Sequence, residues 1–422
     1  VTDALQYIDG EYEIHYYERP YLKYLRQIYS GEKPRLSSLF PRSYISSGAN
    51  RLLKGKIHTH SHHLCHAAAG FQTSPFQEAV IVIVDAIGEF DTVSIWDAYY
   101  DSNHKAVYKK LYSKKYPNSL GLFYSALTQR VGLKPNDEEY ITMGMSAYGE
   151  RGFGDLLKHS LVDNEWDITF KDNLHIGIDP DYLGYVSDMD LAAGAQDLCE
   201  NLVYNVMKHA QKFEWSNNLV YMGGVALNCL ANRNLGDYFD NIWIMPNPGD
   251  AGSSLGAAAL AYGHRLNWTN AYLGHNIPGP YPVNSILDEL LTNQIVGVAS
   301  GRAEFGPRAL GNRSLLADPR GPEIKDRVNE IKRRQQFRPF APVILEEHAH
   351  RLFDIPGGFV STEYMQVVAR CRFPEHFPAI VHIDGTSRIQ TVPKNGSGIR
   401  ELLEKLTSLS VETRYLPEEK PN

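Results

Sequence analysis

The sequence predicts an α/β protein, and three observations carry that prediction. Residues 79–85, AVIVIVD, form an unbroken apolar, β-branched run ending on an acid, the pattern of a strand buried on both faces. Residues 120–131 and 192–213 space their apolar side chains at helical intervals. Short apolar strands at 219–222 and 242–245 follow, the second leading to a small-residue helix at 252–262, so strands and helices alternate as layered α/β architectures require.

The remaining elements fall in around these. Residues 1–55, rich in Tyr, Arg and Lys, read as helices and loops. Residues 92–96 and 107–112 add strands after the first one and begin a meander. Residues 265–290 are rich in Pro, Asn and Gly and read as a linker. Residues 295–299 start a strand that runs into a basic segment.

Bulk properties bound the function. A chain of 422 residues exceeds one core, so two or three domains are expected. A formal net charge of −7 and a pI near 6.2 exclude a surface built throughout for nucleic acid. Cys65, Cys199, Cys229 and Cys371 are scattered without CxxC spacing, which argues against a disulfide framework or thiolate zinc site and points to a reducing cytoplasm. No apolar run approaches the roughly 18 residues of a membrane span, and no signal peptide is visible. The first residue is Val1, so the native start is expected upstream.

Five constellations could carry chemistry. His58, His60, His62, His63 and His66 fall within nine residues, and His62 and His66, four apart, share one face of a helix. That spacing suits two imidazole ligands of one divalent metal, with Asp85 at its strand end as a further candidate. A lone HxxxH more often binds nothing. Tyr221–Asn228, YMGGVALN, sets paired glycines after a strand, where backbone can approach a ligand closely. Asp250 lies between glycines just before a helix and reads either as a helix cap or as another metal ligand. In DEEYITMGMSAYG the acids look solvated, but the second half is too apolar and glycine-rich for a solvated turn. Asp384-Gly385 reads as a hairpin turn with Arg388 behind it.

The segment 301–340 stands apart. It carries Arg302, Arg308, Arg313, Arg320, Lys325, Arg327, Lys332, Arg333, Arg334 and Arg338 against five acids. Gly306, Pro307, Gly311 and Pro319 punctuate it with turns. Forked guanidiniums on a turn-fixed loop can enclose a small oxyanion such as phosphate. The competing reading is a basic surface that tracks nucleic acid.

In chain order, HHLCHAAAGF, IVIVDAIGE, SLGLFYSALTQRVGL, EEYITMGMSAYG, MGGVALN, NPGDAGSSLGAA, EFGPRALGNRSLLADPR, IKRRQQFRPFAPVILEE and HIDGTSRIQTV resemble the NodU/TobZ-type O-carbamoyltransferases over about residues 56–393. The resemblance implies an ASKHA (actin/sugar-kinase-like) domain of mixed sheets and helices over 1–280, followed by an α/β YrdC-like domain over 281–422. It implies formation of carbamoyl-adenylate from carbamoyl phosphate and ATP in the second domain. The carbamoyl group then passes to an acceptor hydroxyl, of a small molecule, sugar or nucleotide, beside a metal in the first. Carried over residue by residue, it makes His62, His66, Asp85 and Asp250 the ligands of a divalent metal, Fe2+ by preference. Gly223, Gly224 and Asn228 become nucleotide contacts. Arg308, Lys332, Arg338 and Arg388 grip carbamoyl phosphate, the first three as catalytic groups. Mg2+ is an expected companion of ATP, and a homodimer stays open.

The chain also departs from the family pattern. No HDASA-like hairpin precedes residue 56, Ile141 or Thr142 stands where a lysine is usual, and Ala86 stands in the VVDG position. No NTSFN-like segment follows HIDGTSRIQTV, and the ending ETRYLPEEKPN does not replace it. The expectation is a chain without the N-terminal hairpin and without the C-terminal part of the second domain. Two alternatives stand beside this reading: a tRNA threonylcarbamoyl-type transferase, and a nucleic-acid-binding module using 302–338.

Overall fold

The computed structural model describes residues 10–42, 55–321, 323–396 and 398–412. The expected helices and loops at 1–9 and 43–54, and the ending from 413 onward, lie outside these residues. Among the described residues no helix is long and apolar enough to cross a membrane.

The apolar run at 79–85 builds the centre of the fold. It extends into strand β3 (Glu78–Gly88), which follows a first short pair, β1 (Glu13–Tyr16) and β2 (Lys56–Thr59), with helix α1 (Pro20–Tyr29) between them in the chain. Strands β4 (Asp91–Tyr100) and β5 (Ala106–Lys115) complete the expected meander. Strands β6 (Asn218–Met222) and β7 (Asn241–Trp243) join on the other side, giving a five-stranded sheet of order β5-β4-β3-β6-β7. β4 is antiparallel to both neighbours, whereas β3, β6 and β7 run parallel. One reversed strand in that order is the core sheet of the actin/sugar-kinase architecture.

Alternation along β3 divides the core between the two faces. Val80, Val82 and Val84 face helices α3 (Leu120–Arg130) and α6 (Asp188–Gln211), meeting Leu120, Phe123, Leu198 and Leu202. Ala79, Ile81 and Ile83 face α2 (His62–Thr73), meeting Ala67 and Phe71. Each fully buried Ile contributes about 1.5–3 kcal/mol of burial. Two shorter helices, α4 (Glu139–Met145) and α5 (Phe153–Leu161), lie between α3 and α6 in the chain.

Helix α7 (Ser253–Tyr262) packs on α2, and small residues set how closely. A Cβ on Gly256 would meet the carbonyl oxygen of Cys65 at 1.8 Å, so only glycine permits this approach. The close packing brings the start of α7 beside the histidines of α2.

The chain beyond residue 282 forms helices and small sheets. Helix α8 (Val283–Asn293) leads to β8 (Ile295–Ala299), which pairs antiparallel with β9 (Arg313–Ala317). Helix α9 (Ile324–Ile331) is followed by β10 (Val343–Leu345), which pairs parallel with the final strand, Gln390–Val392. The segment 265–290 is more than a tether, because Ala271 is buried and Trp268 and Tyr272 pack against the α2-side core. The Asp384-Gly385 turn closes with Gly385 N–H donating to the His382 carbonyl at 2.9 Å. The His382 N–H donates back across the turn to the Thr386 carbonyl at 2.8 Å, so it closes as the hairpin turn that the sequence reading expects, and Thr386–Arg388 also pairs with Val368–Cys371.

Contacts tie the later chain to the first sheet. The Ile242 N–H donates to the Gly358 carbonyl at 2.7 Å, and the Val360 N–H donates to the Ile242 carbonyl at 3.0 Å. Gln366 Nε2 donates to the Ile244 carbonyl at 2.7 Å, and Asn232 Nδ2 to the Gln366 carbonyl at 2.8 Å.

Candidate active site with two charged centres

The first centre grows from α2 and the end of β3. Helical spacing sets His62 and His66 one turn apart, with their Nε2 atoms 3.1 Å from each other. Asp85 Oδ2 lies 3.3 Å from His62 Nε2 and 3.6 Å from His66 Nε2. Asp250 Oδ1 lies 3.2 and 3.4 Å from the same two nitrogens. Asp250 is therefore no helix cap: Gly252 occupies the cap position of α7, and no side chain caps it.

This donor set fits a divalent ion. Two imidazole nitrogens facing each other at 3.1 Å cannot both carry a proton, and two carboxylates close the same space. Donors about 3.3–3.6 Å apart are the edges of a tetrahedral shell with bonds of about 2.0–2.2 Å. Without an ion, the carboxylates govern the titration. Burial pulls His62 down, but hydrogen bonds to Asp250 and Asp85 hold it up at about 10. Burial works against the Asp85 carboxylate as well, and the two histidines hold it well below the usual range.

Neighbours fix the ligands in place. The Gly224 N–H donates to Asp85 Oδ1 at 3.1 Å. Glu18 Oε1 stands 3.9 Å from His62 Nδ1, and the Tyr17 ring packs edge-on against His62 with centroids 5.5 Å apart. His63 turns away, its Nδ1 2.7 Å from the Ser94 hydroxyl, which also accepts from Trp96 Nε1. Gly223 holds φ +92°, and a Cβ there would sit 2.2 Å from the Val84 carbonyl oxygen. Gly223→Ala is expected to cost about 3 kcal/mol through left-handed strain and this clash, read as a lower denaturant midpoint with unchanged slope.

Asn228 is occupied by the protein itself. Its Oδ1 accepts from the Ala231 N–H at 3.1 Å and from Gln196 Nε2 at 3.1 Å, while its Nδ2 donates to Gln196 Oε1 at 3.0 Å. Gln196 also donates to Glu200 and accepts from the Tyr124 hydroxyl. Sequence reasoning missed Gln196 and Tyr124. An amide inside the otherwise apolar face of 192–213 was the available signal.

The second centre is cationic. Arg308, Lys332, Arg334, Arg338 and Arg388 line one cavity, and none of them takes part in the ion pairs of the described residues. Arg308 Nη2 donates to the Leu227 carbonyl at 2.8 Å, and the Arg338 guanidinium lies 4.7 Å over the Tyr140 ring. Buried Arg334 Nη2 and Arg388 Nε have no hydrogen-bond partner among the described residues. Burial, then Arg388, pushes Arg308 down to about 9; burial, then Arg338 and Arg388, pushes Arg334 down to about 10. Burial, then Arg334 and Arg338, lower Lys332, and burial and Arg338 lower Arg388. Guanidiniums stay charged at neutral pH, so this crowding is a standing repulsion that a bound oxyanion relieves. Arg334 is a cavity residue that sequence reasoning left in the general basic run.

The other bases of the segment hold structure. Arg313 donates to the carbonyls of Ser300, Gly301, His275 and Asn312, and Arg320 pairs with Asp318. Glu304 Oε1, also missed, accepts the N–H groups of Leu310, Asn312 and Arg313 and shapes the GPRALGNR loop. A nucleic-acid track would need these bases on one open face. Four of the ten line the cavity instead.

An actin/sugar-kinase sheet carrying a His/Asp cluster and a cationic cluster defines an α/β protein with two charged centres. The model of the carbamoyltransferase N-terminus matches residues 36–259, that of the carbamoyltransferase C-terminus matches residues 287–413, and the chain belongs to the carbamoyltransferase family. Nodulation protein NolO of Bradyrhizobium diazoefficiens is 33% identical over 79% of this chain and 67% of its own length. An uncharacterized protein of Synechocystis sp. is 32% identical over 83% of this chain and 68% of its own length. Nodulation protein U of Sinorhizobium fredii is 35% identical over 54% of this chain and 45% of its own length.

Proposed function

We propose that this carbamoyltransferase acts on a hydroxyl acceptor, using carbamoyl phosphate and ATP, with the two centres dividing the reaction. One observation carries the reading: one cavity of about 1200 Å3 is lined both by Asp85, Gly224, Asn228 and Asp250 and by Arg308, Lys332, Arg338 and Arg388.

Carbamoyl phosphate enters the cationic end, which corresponds to the YrdC-like domain expected over 281–422. Arg308, Arg338 and Arg388 bind its phosphoryl oxygens and stabilise the charge that grows as inorganic phosphate departs; Lys332 adds a point charge beside them. Water takes the phosphoryl group and leaves as inorganic phosphate, the bridging oxygen stays on the carbamate, and that oxygen attacks the α-phosphorus of ATP and expels pyrophosphate, giving carbamoyl-adenylate, with Mg2+ as the companion of ATP. That mixed anhydride reaches the His/Asp end without leaving the cavity. There the backbone of Gly223-Gly224 supports the adenylate, and Asn228, tied to Gln196 and Ala231, shapes the adjoining wall. The acceptor hydroxyl then attacks the carbonyl carbon, its proton passes to solvent water, and the C–O bond to AMP breaks so that AMP leaves. His62, His66, Asp85 and Asp250 would hold a divalent ion such as Fe2+, which supplies Lewis acidity towards a phosphate or acyl oxygen.

The test is direct. Purified protein given carbamoyl phosphate and ATP is expected to release pyrophosphate only when both are present. Products from a panel of sugars and nucleosides are expected to gain the mass of one carbamoyl group. ATP turnover indifferent to carbamoyl phosphate would refute the reading.

A further inference from the structure

The histidines that the first centre leaves unused gather elsewhere. Strands β1 and β2 pair in parallel, with Glu13 opposite Lys56 and His15 opposite His58. The two-residue period of a strand therefore puts Glu13, His15, His58 and His60 on one face. The His15 ring stacks on His58 with centroids 4.9 Å apart and planes 8° apart, and on His60 at 5.1 Å.

Ring stacking alone does not explain where the polar atoms point. His15 Nε2 lies 3.5 Å from Glu13 Oε2, and His58 Nε2 lies 3.4 Å from Glu13 Oε1. Both distances are long for hydrogen bonds. His58 Nε2 is buried and has no hydrogen-bond partner among the described residues. One ligand atom from each of Glu13, His15 and His58 lies within 4.8 Å of the others. Atoms so placed are too far apart to bond each other well and suitably placed to share one ion of bond length about 2.0–2.2 Å.

We infer a second divalent-metal site, formed by Glu13, His15 and His58 across the β1–β2 pair, for a borderline ion of the Zn2+ class. Two imidazoles and a carboxylate are a recurrent donor set for such ions, and they leave positions open for water. His60 completes the design from behind: its Nε2 lies 2.8 Å from His15 Nδ1 and fixes that ring's orientation and tautomer. Glu13 is 58% exposed, which gives an ion its entry path. Lys56, across from Glu13, is a cation that competes for the carboxylate. The ion has a structural consequence. It clamps β1 just before Tyr17 and Glu18, the residues that lean on His62.

Metal stoichiometry tests this. Chelator-stripped protein reloaded with Zn2+ is expected to hold one more equivalent than the His15→Ala/His58→Ala double variant. In the His62→Ala/His66→Ala variant an equivalent is expected to remain, and it should vanish when His15→Ala/His58→Ala is added. His60→Ala is expected to keep that equivalent and weaken it about 10- to 100-fold. Far-UV circular dichroism verifies folding, and Lys56→Ala should lose no metal. Equal Zn2+ content with and without His15 and His58 would overturn the site. So would a His62→Ala/His66→Ala variant that binds none. A wild-type protein that loads a single equivalent, lost with His15 and His58 but kept without His62 and His66, would support this site and count against the first centre.

Discussion

Arg338→Ala is expected to lower carbamoyl-adenylate formation about 10²–10³-fold, the usual loss when one preorganised donor to a developing oxyanion is removed. Arg338 stacks on Tyr140 and stands among Lys332, Arg334 and Arg388, with no carboxylate partner among the described residues. Stability should respond in the opposite sense. Losing the stacking contact costs about 0.5–1 kcal/mol, but one of several mutually repelling charges goes with it. The ligand-free variant should therefore melt at or above the wild-type temperature. Carbamoyl phosphate at 100 times its Kd should stabilise the wild type by about 2.7 kcal/mol and the variant far less. Unchanged pyrophosphate release from Arg338→Ala would remove this residue from the reaction.

His62→Ala should give the complementary result. It deletes one of four donors around the first centre and leaves the cationic end intact. Transfer to the acceptor is expected to fall at least about 10³-fold, while pyrophosphate release stays within severalfold and carbamoyl-adenylate accumulates. Metal content should drop in parallel, and Asp85→Asn, nearly identical in shape, should reproduce the defect. Loss of pyrophosphate release in His62→Ala, with transfer from supplied carbamoyl-adenylate intact, would reverse the division between the two centres.

The sequence disclosed those features that depend on local pattern. The β-branched run at 79–85 and the helical spacing at 120–131 and 192–213 became β3, α3 and α6 with ends shifted by a few residues. His62 and His66 were legible because four-residue spacing on a helix is geometry in itself. Pairings between distant segments were not. KIHT alternates polar with apolar residues too weakly to announce a strand, and its partner lies some forty residues away. RSLLA looked like part of a turn-rich basic loop, yet it pairs along its whole length with Ile295–Ala299. Asp250 stayed ambiguous for a related reason. Glycine-flanked Asp before a helix serves equally as a cap, and only the approach of α7 to α2 at Gly256 sends its carboxylate towards the histidines.

The strip of chain at 358–360, bonded to Ile242, has a consequence for dissecting this enzyme. β7 is the outer strand of the central sheet, and through these bonds its free edge is covered by later sequence. Uncovered strand edges invite pairing with other molecules. A truncated first half, expressed alone to isolate the His/Asp centre, would carry a raw β-edge and should self-associate. Solubility, and not chemistry, would then decide what such a fragment reports.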